Sequence, residues 1–252
     1  MFRPRIIPVL LLKNQGLVKS IGFKNYNYIG DPMNAVKIYN ELKADELVFL
    51  DIEATNQNRL ISLDFVKEVG EEANMPFAVG GGINSLDDIR KVTNAGAEKV
   101  VINSAAINPD FIENAAKEFG SSTIAVCIDV KKKFFGGVKT WTNSGSKSTS
   151  FNPVEFAIKM QNAGAGEIII QSIERDGSMN GYDIELIRSV SEIVTIPVVA
   201  LGGAGKISDL QEAAKKGYAN GLAAGSMFVY QSSKRGVLIN YLSDGEKKQV
   251  LL

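Results

Sequence analysis

Short apolar or β-branched runs alternate with amphipathic segments along nearly the whole chain. Runs at residues 5–12, 46–51, 76–80, 99–103, 123–129, 167–172, 196–201 and 220–224 have the length and make-up of buried strands. Between them lie segments of helical period, among them "DPMNAVKIYNELK", "SLDDIRKVTNAG", "NPDFIENAAKEFG" and "ISDLQEAAKKG". Asp31–Pro32, Ser85, Asn108–Pro109 and Ser208 offer helix starts, and Gly96, Gly120 and Gly217 offer stops. Eight strand–helix units predict an α/β fold with a parallel sheet, and that number suits a closed (β/α)8 barrel.

An internal repeat favours the barrel over an open doubly wound sheet. "DELVFLDIEA" aligns with "AGEIIIQSIER", "MPFAVGGGI" with "IPVVALGGAG", and "AGAEKVVINSAA" with "KKGYANGLAAGS". Glu46 and Glu167, Gly82 and Gly203, and Gly96 and Gly217 are each 121 residues apart. One offset shared by three matches implies two half-barrels, about residues 1–120 and 121–252, within a single domain. Residues 13–30 and 131–150 break the spacing as two long loops. Each follows a strand, so each is expected on the catalytic face as a lid. The "NSGSKSTS" part of the second reads equally as lid or as flexible filler.

Composition narrows the chemistry. The 252 residues carry 28 Lys plus Arg and 28 Asp plus Glu, so net charge gives no reason to expect nucleic acid or an anionic membrane as partner. The run Lys131–Lys133 reads as a solvated loop. One cysteine, Cys127, excludes an internal disulfide and a cysteine zinc cluster, and its apolar strand makes it a small buried residue. With no histidine, the Ser-His-Asp triad and most transition-metal sites are out of reach. Acid–base work falls to Asp, Glu, Lys or Tyr, and no metal or cofactor is expected. "RIIPVLLL" is too short for a signal peptide and no apolar run reaches the roughly 20 residues of a membrane span, so a cytoplasmic protein is expected.

Gly81–Gly82 and Gly202–Gly203 end the third and seventh strands, and "INSAA" (102–106) and "LAAGS" (222–226) end the fourth and eighth. Glycine lets backbone N–H groups approach an anion, and barrels commonly hold phosphate after strands seven and eight. The repeat therefore predicts two phosphate sites on opposite sides of one mouth, drawing on Asn103, Ser104, Ala224, Gly225 and Ser226; tight turns alone are the alternative. "GGAGK" is not a phosphate-binding P-loop, because Ala200 and Ile207 stand where Gly and Ser or Thr are needed. Asp51, Asp129 and Asp176 fall at strand ends, where each could transfer protons or cap a loop, and Asp129 is the best catalytic candidate. At the opposite rim Arg5, Glu46, Lys99 and Glu167 begin strands one, two, four and six. They could form a charged ring across the barrel bottom or serve packing alone.

Through "RIIP", "GDP" (30–32), "DELVFLDI", "PFAVGGGI", "GAGEI", "ERDG" (174–177), "GYD" and "GGAGK", the chain from Arg5 to about residue 230 resembles the cyclase subunit of imidazole glycerol phosphate synthase, from histidine biosynthesis. The resemblance implies a lyase- or amidotransferase-type enzyme subunit that binds a bis-phosphate substrate. Ammonia would come from a separate glutaminase docked at the barrel bottom and pass through the barrel. It makes Arg5, Glu46, Lys99 and Glu167 the ammonia gate, and Asp45 and Glu98 part of the glutaminase-docking surface. Lys19, Asn103, Asp176, Gly177 and the paired glycines match the binding set, to which Asp51 is added; Ser104, Gly225 and Ser226 are near-matches. Of the family's two catalytic aspartates, Asp129 matches one, whereas the other is Leu11. The first lid, "SIGFKNYNYIG", is aromatic, so Tyr26 and Tyr28 either meet a different substrate or pack the loop. Three functions follow: a paralogue using ammonia on a phosphorylated or nucleotide-linked sugar to form an acetamidino group for surface polysaccharide; a non-catalytic barrel channelling ammonia to a third enzyme; and the histidine cyclase itself.

Overall fold

A computed structural model describes residues 3–132, 137–231 and 236–250. Eight parallel strands close on themselves: β1 (Arg5–Lys13), β4 (Leu47–Asp51), β5 (Phe77–Gly80), β6 (Lys99–Ile102), β7 (Ile124–Lys132), β10 (Glu167–Ser172), β11 (Val198–Leu201) and β12 (Gly221–Ala224). The last pairs with the first in register Arg5↔Gly221 to Pro8↔Ala224, which completes the predicted (β/α)8 barrel. Side chains alternate across each strand. On β1, Ile7, Val9 and Leu11 join the barrel's interior cluster, while Ile6, Leu10 and Leu12 pack outward against the helices.

Helix starts follow local chemistry. Asp31 accepts from Asn34 N ahead of Pro32 in α1 (Pro32–Glu41), and Ser85 forms a capping box with Asp88 on α3 (Leu86–Asn94). Ser208 does not cap α7 (Ile207–Lys215). It lies inside that helix, and Asp209 accepts from Gly205 N and Lys206 N instead.

The two long "loops" are largely strand. β1 turns at Asn14–Gln15 into β2 (Gly16–Ile21), which turns at Gly22–Phe23 into β3 (Lys24–Gly30). Both two-residue turns have φ between 48° and 63°, the left-handed geometry that matches strand twist in hairpins. Likewise β7 runs on into antiparallel β8 (Val138–Thr142), which pairs with β9 (Lys147–Ser148) inside the serine-rich segment. Lys133 and residues 134–136 of this lid lie outside the described residues.

Candidate active site

At the C-terminal ends of the strands lies a cleft of about 360 Å³ walled by Leu11, Asp51, Gly81, Gly82, Asn103, Ser104, Asp129 and Gln171, with Phe23 and Tyr26 above. Asp129 is buried on β7. Its carboxyl accepts from Asn103 Nδ2 at 3.2 Å and sits 3.6 Å from Cys127 Sγ. Burial outweighs these hydrogen bonds and pushes its pKa up to about 7, so near neutrality the group can both give and take a proton. Leu11 walls the same cleft and can do neither.

Gln171, unremarked in the sequence, stands beside Asp129 in the β7–β10 register. Its buried side chain walls the cleft, with Cys127 Sγ 3.9 Å from Oε1. The signal was present, since "IIIQS" sets a carboxamide directly after three isoleucines in a buried strand.

Asp51 accepts from Glu53 N and Ala54 N and pairs with Arg59, Nη1 to Oδ2 at 2.5 Å. It thus both caps a turn and walls the cleft. Tyr26 lies over the cleft, whereas Tyr28 is 69% exposed and its ring covers Gly16.

The remaining binding candidates gather elsewhere. Asp176 lies beyond the strand end, in the turn after β10. It accepts from Ser20 Oγ at 2.6 Å, and its carbonyl accepts from Gly22 N at 3.0 Å. Lys19 is buried next to it with Nζ donating to Val9 O, and burial pulls its pKa down to about 8 against the pull of Asp176. Gly177 packs on the Ser20 carbonyl, Gly202 faces Ser172 O, and Gly225 faces Lys19 Nζ. Gly203, Ala224 and Ser226 are buried as well, and none of this second set walls the cleft.

At the barrel's other end the four charged candidates meet. The Arg5 guanidinium donates to Glu46 and Glu167, and Lys99 Nζ reaches Glu46 Oε1 at 3.0 Å and Glu167 Oε2 at 3.3 Å. Above this closed ring a small cavity of about 10 Å³ touches Glu46 and Glu167 below and shares Leu50, Val101 and Cys127 with the cleft above. That is about the volume of one water-sized molecule. Of the docking candidates Glu98 is exposed, whereas Asp45 is tied to its own chain: it accepts from Ile6 N at 3.0 Å and pairs with Arg3 and Lys247.

Among the described residues no cluster of three His, Cys, Asp or Glu could hold a metal ion, and no helix is long and apolar enough to cross a membrane.

Comparison with known proteins gives the family. A family model described as "Histidine biosynthesis protein" matches residues 5–234. The chain is 41% identical over 253 residues to a protein of Vibrio vulnificus provisionally named imidazole glycerol phosphate synthase subunit hisF3, covering 100% of this chain and 97% of that one. It is 42% identical over 242 residues to the Pseudomonas aeruginosa protein provisionally named subunit hisF2, covering 96% of each. A Leptospira borgpetersenii protein provisionally named subunit HisF is 42% identical over 250 residues, covering 98% of each.

Proposed function

The chain belongs to the histidine biosynthesis protein family, and on that premise we propose that it is the synthase subunit of a glutamine-dependent pair. Ammonia released by a partner glutaminase at the Arg5 end crosses the barrel and is used at the Asp129 cleft on a phosphorylated or nucleotide-linked substrate. The observation that carries this reading is the stacking of three features on one axis: a closed charged ring, an apolar interior cavity and a cleft with a buried carboxyl. An ionic ring this buried adds little net stability compared with apolar packing, so its presence favours a working gate. The partner docks through the surface around the ring, where Glu98 is free to meet it and Asp45 holds the ring strand in place.

The reaction that fits the altered cleft is formation of an acetamidino group on a sugar destined for surface polysaccharide, in the cytoplasm. Ammonia adds to the amide carbon and passes one proton to the oxygen, which leaves as water once it takes a second. Asp129, carrying its proton near neutrality, gives it to the departing oxygen and regains one from the incoming nitrogen. Ring closure as in the histidine pathway would call on a second acid–base group, and Leu11 supplies none.

Leu11 also favours a second reading, in which the barrel only channels ammonia to a third enzyme. The purified complex with its glutaminase separates these. On the first reading glutamine-dependent product from a nucleotide-linked N-acetyl sugar falls by about 10²–10⁴-fold in Asp129→Asn. Unchanged output in that variant, with the complex intact, selects channelling. Turnover of the histidine-pathway substrate at a normal rate would sink both.

A further inference from the structure

Resting on the reading that ammonia attacks an amide carbon in this cleft, we propose that Gln171 selects and activates that amide. Its Nε2 donates to the acyl oxygen beside Asp129, while the acyl methyl packs on Leu11 and Leu50. Gln171 lies near the end of β10, whose inward side runs Glu167, Ile169, Gln171 from the charged ring to the cleft. Only 5% of its surface is exposed.

Asp129 has a carboxamide on either side, Asn103 just past β6 and Gln171 on β10, and they are used differently. Asn103 Nδ2 gives both its N–H groups to the protein, to Cys127 O at 2.9 Å and to Asp129 Oδ2 at 3.2 Å. Gln171 turns Oε1 toward Cys127 Sγ, and among the described residues its Nε2 has no hydrogen-bond partner. Nor is Nε2 sealed in: among the described residues the fully covered side-chain atoms without a partner are Trp141 Nε1 and Ser191 Oγ. It therefore opens on the cleft that Gln171 walls. Hydroxyls of the same cleft are committed, Ser104 Oγ to Asn103 Oδ1, Ser144 Oγ to Ile52 O and Tyr26 Oη to Phe23 O. A buried donor held open costs stability unless a ligand meets it.

The open donor stands where the nitrogen arrives. Leu50, Val101 and Cys127 border both the interior cavity and the cleft, and Asp129 and Gln171 are the next inward-facing residues on β7 and β10. Half-way round the barrel from them in strand order are Leu11 on β1 and Leu50 on β4. An acyl group held between these pairs has its oxygen at the polar side and its methyl on leucine. When the ammonia lone pair forms the C–N bond, the carbonyl π pair moves onto oxygen. The Nε2–H donates to that oxygen and keeps its own proton. The two protons that turn the oxygen into water come from the incoming nitrogen and from Asp129. Gln171 thus stabilises the charge that Asp129 then discharges, a role that needs a neutral donor and not a second acid.

The test titrates the full chain with its glutaminase using UDP-N-acetylglucosamine and UDP-glucose, a pair that differs by the acetamido group. The wild-type complex is expected to prefer the acetamido sugar about ten-fold, and Gln171→Met, which keeps the volume and removes the donor, to bind the two alike. Soaked crystals of the wild-type protein should place the acyl oxygen within about 3.2 Å of Nε2. With the sugar labelled as acetyl-13C=O, its infrared carbonyl band should lie at lower frequency in wild type than in Gln171→Met. No preference in the wild-type complex overturns the proposal, as does a preference and band position unchanged in Gln171→Met, or an acyl oxygen away from Nε2. Glutamine-dependent turnover of the same sugar is read in parallel, and Gln171→Met should lower kcat/KM about 10²–10³-fold, mostly through kcat. Turnover lost in Asp129→Asn but kept in Gln171→Met removes the role of Gln171 and keeps the synthase reading. No turnover in wild type, alongside a preference that Gln171→Met abolishes, keeps the acyl site and removes the amidation.

Discussion

Replacing Asp129 by Asn should make the protein more stable at alkaline pH while disabling it. The unfolded aspartate ionises near pH 3.9, whereas the buried one holds its proton up to about pH 7. Between those values the folded state binds more protons than the unfolded state, so stability falls as pH rises from about 4 to about 7 and levels off above. Three pH units at 1.36 kcal/mol each put the cost near 4 kcal/mol at pH 8, against about 1–2 kcal/mol at pH 5. Asparagine carries no charge and removes both costs, less whatever the Asn103 and Cys127 contacts are worth. Those contacts change little with pH, so the difference between pH 5 and pH 8 isolates the ionisation. Urea unfolding of wild type and Asp129→Asn should show the variant gaining about 2–3 kcal/mol more at pH 8 than at pH 5, or about 5–10 °C in melting temperature for a chain this size. An equal effect at both pH values would refute the reasoning, because the carboxyl would then be an ordinary solvated one.

Three further outcomes follow from the same geometry. Lys99→Met leaves Glu46 and Glu167, both buried, sharing Arg5 alone, and should cost about 2–4 kcal/mol in urea unfolding, toward the low end because Lys99 is partly exposed. Gly177→Ala, at φ 66° and against the Ser20 carbonyl, should cost about 2–4 kcal/mol or lift the hairpin; limited proteolysis at residues 20–25 and amine labelling of Lys19 would report the second outcome. Leu11→Asp alone should fail to restore turnover of the histidine-pathway substrate, and recovery in a standard cyclase assay would show that the hairpin matters less than its contacts imply.

The barrel was legible because buried parallel strands announce themselves as apolar runs. "IIPVLL", "LVFL" and "EIIIQS" fell within two residues of β1, β4 and β10. The hairpins were not legible for the converse reason. β3 buries one of its seven residues, so "KNYNYIG" shows no alternation, and its turn uses Gly22–Phe23 in place of the usual Asn-Gly. Asp129 and the four ring residues could be nominated from their places at strand ends. Which glycines face the cleft could not be, because that depends on where the hairpin lies, and a pairwise repeat predicts symmetry where two unlike ribbons, β2–β3 and β8–β9, break it. The setting of Asp45 was hidden in the same way: its partner Lys247 is 202 residues away, on α8 (Asp244–Gln249).

The ladder between β1 and β2 has a mechanical consequence. Leu11 pairs with Val18, Leu12 with Leu17 and Lys13 with Gly16, so the covering ribbon is a continuation of a barrel stave and not a flap on a slack tether. It can swing only by breaking that ladder or by bending the stave itself, which makes opening an all-or-none event and should give the Leu17 and Val18 amides slow hydrogen exchange. Position 11 therefore belongs to two structures at once, the wall of the reaction chamber and the hinge of its cover, and any side chain placed there answers to both.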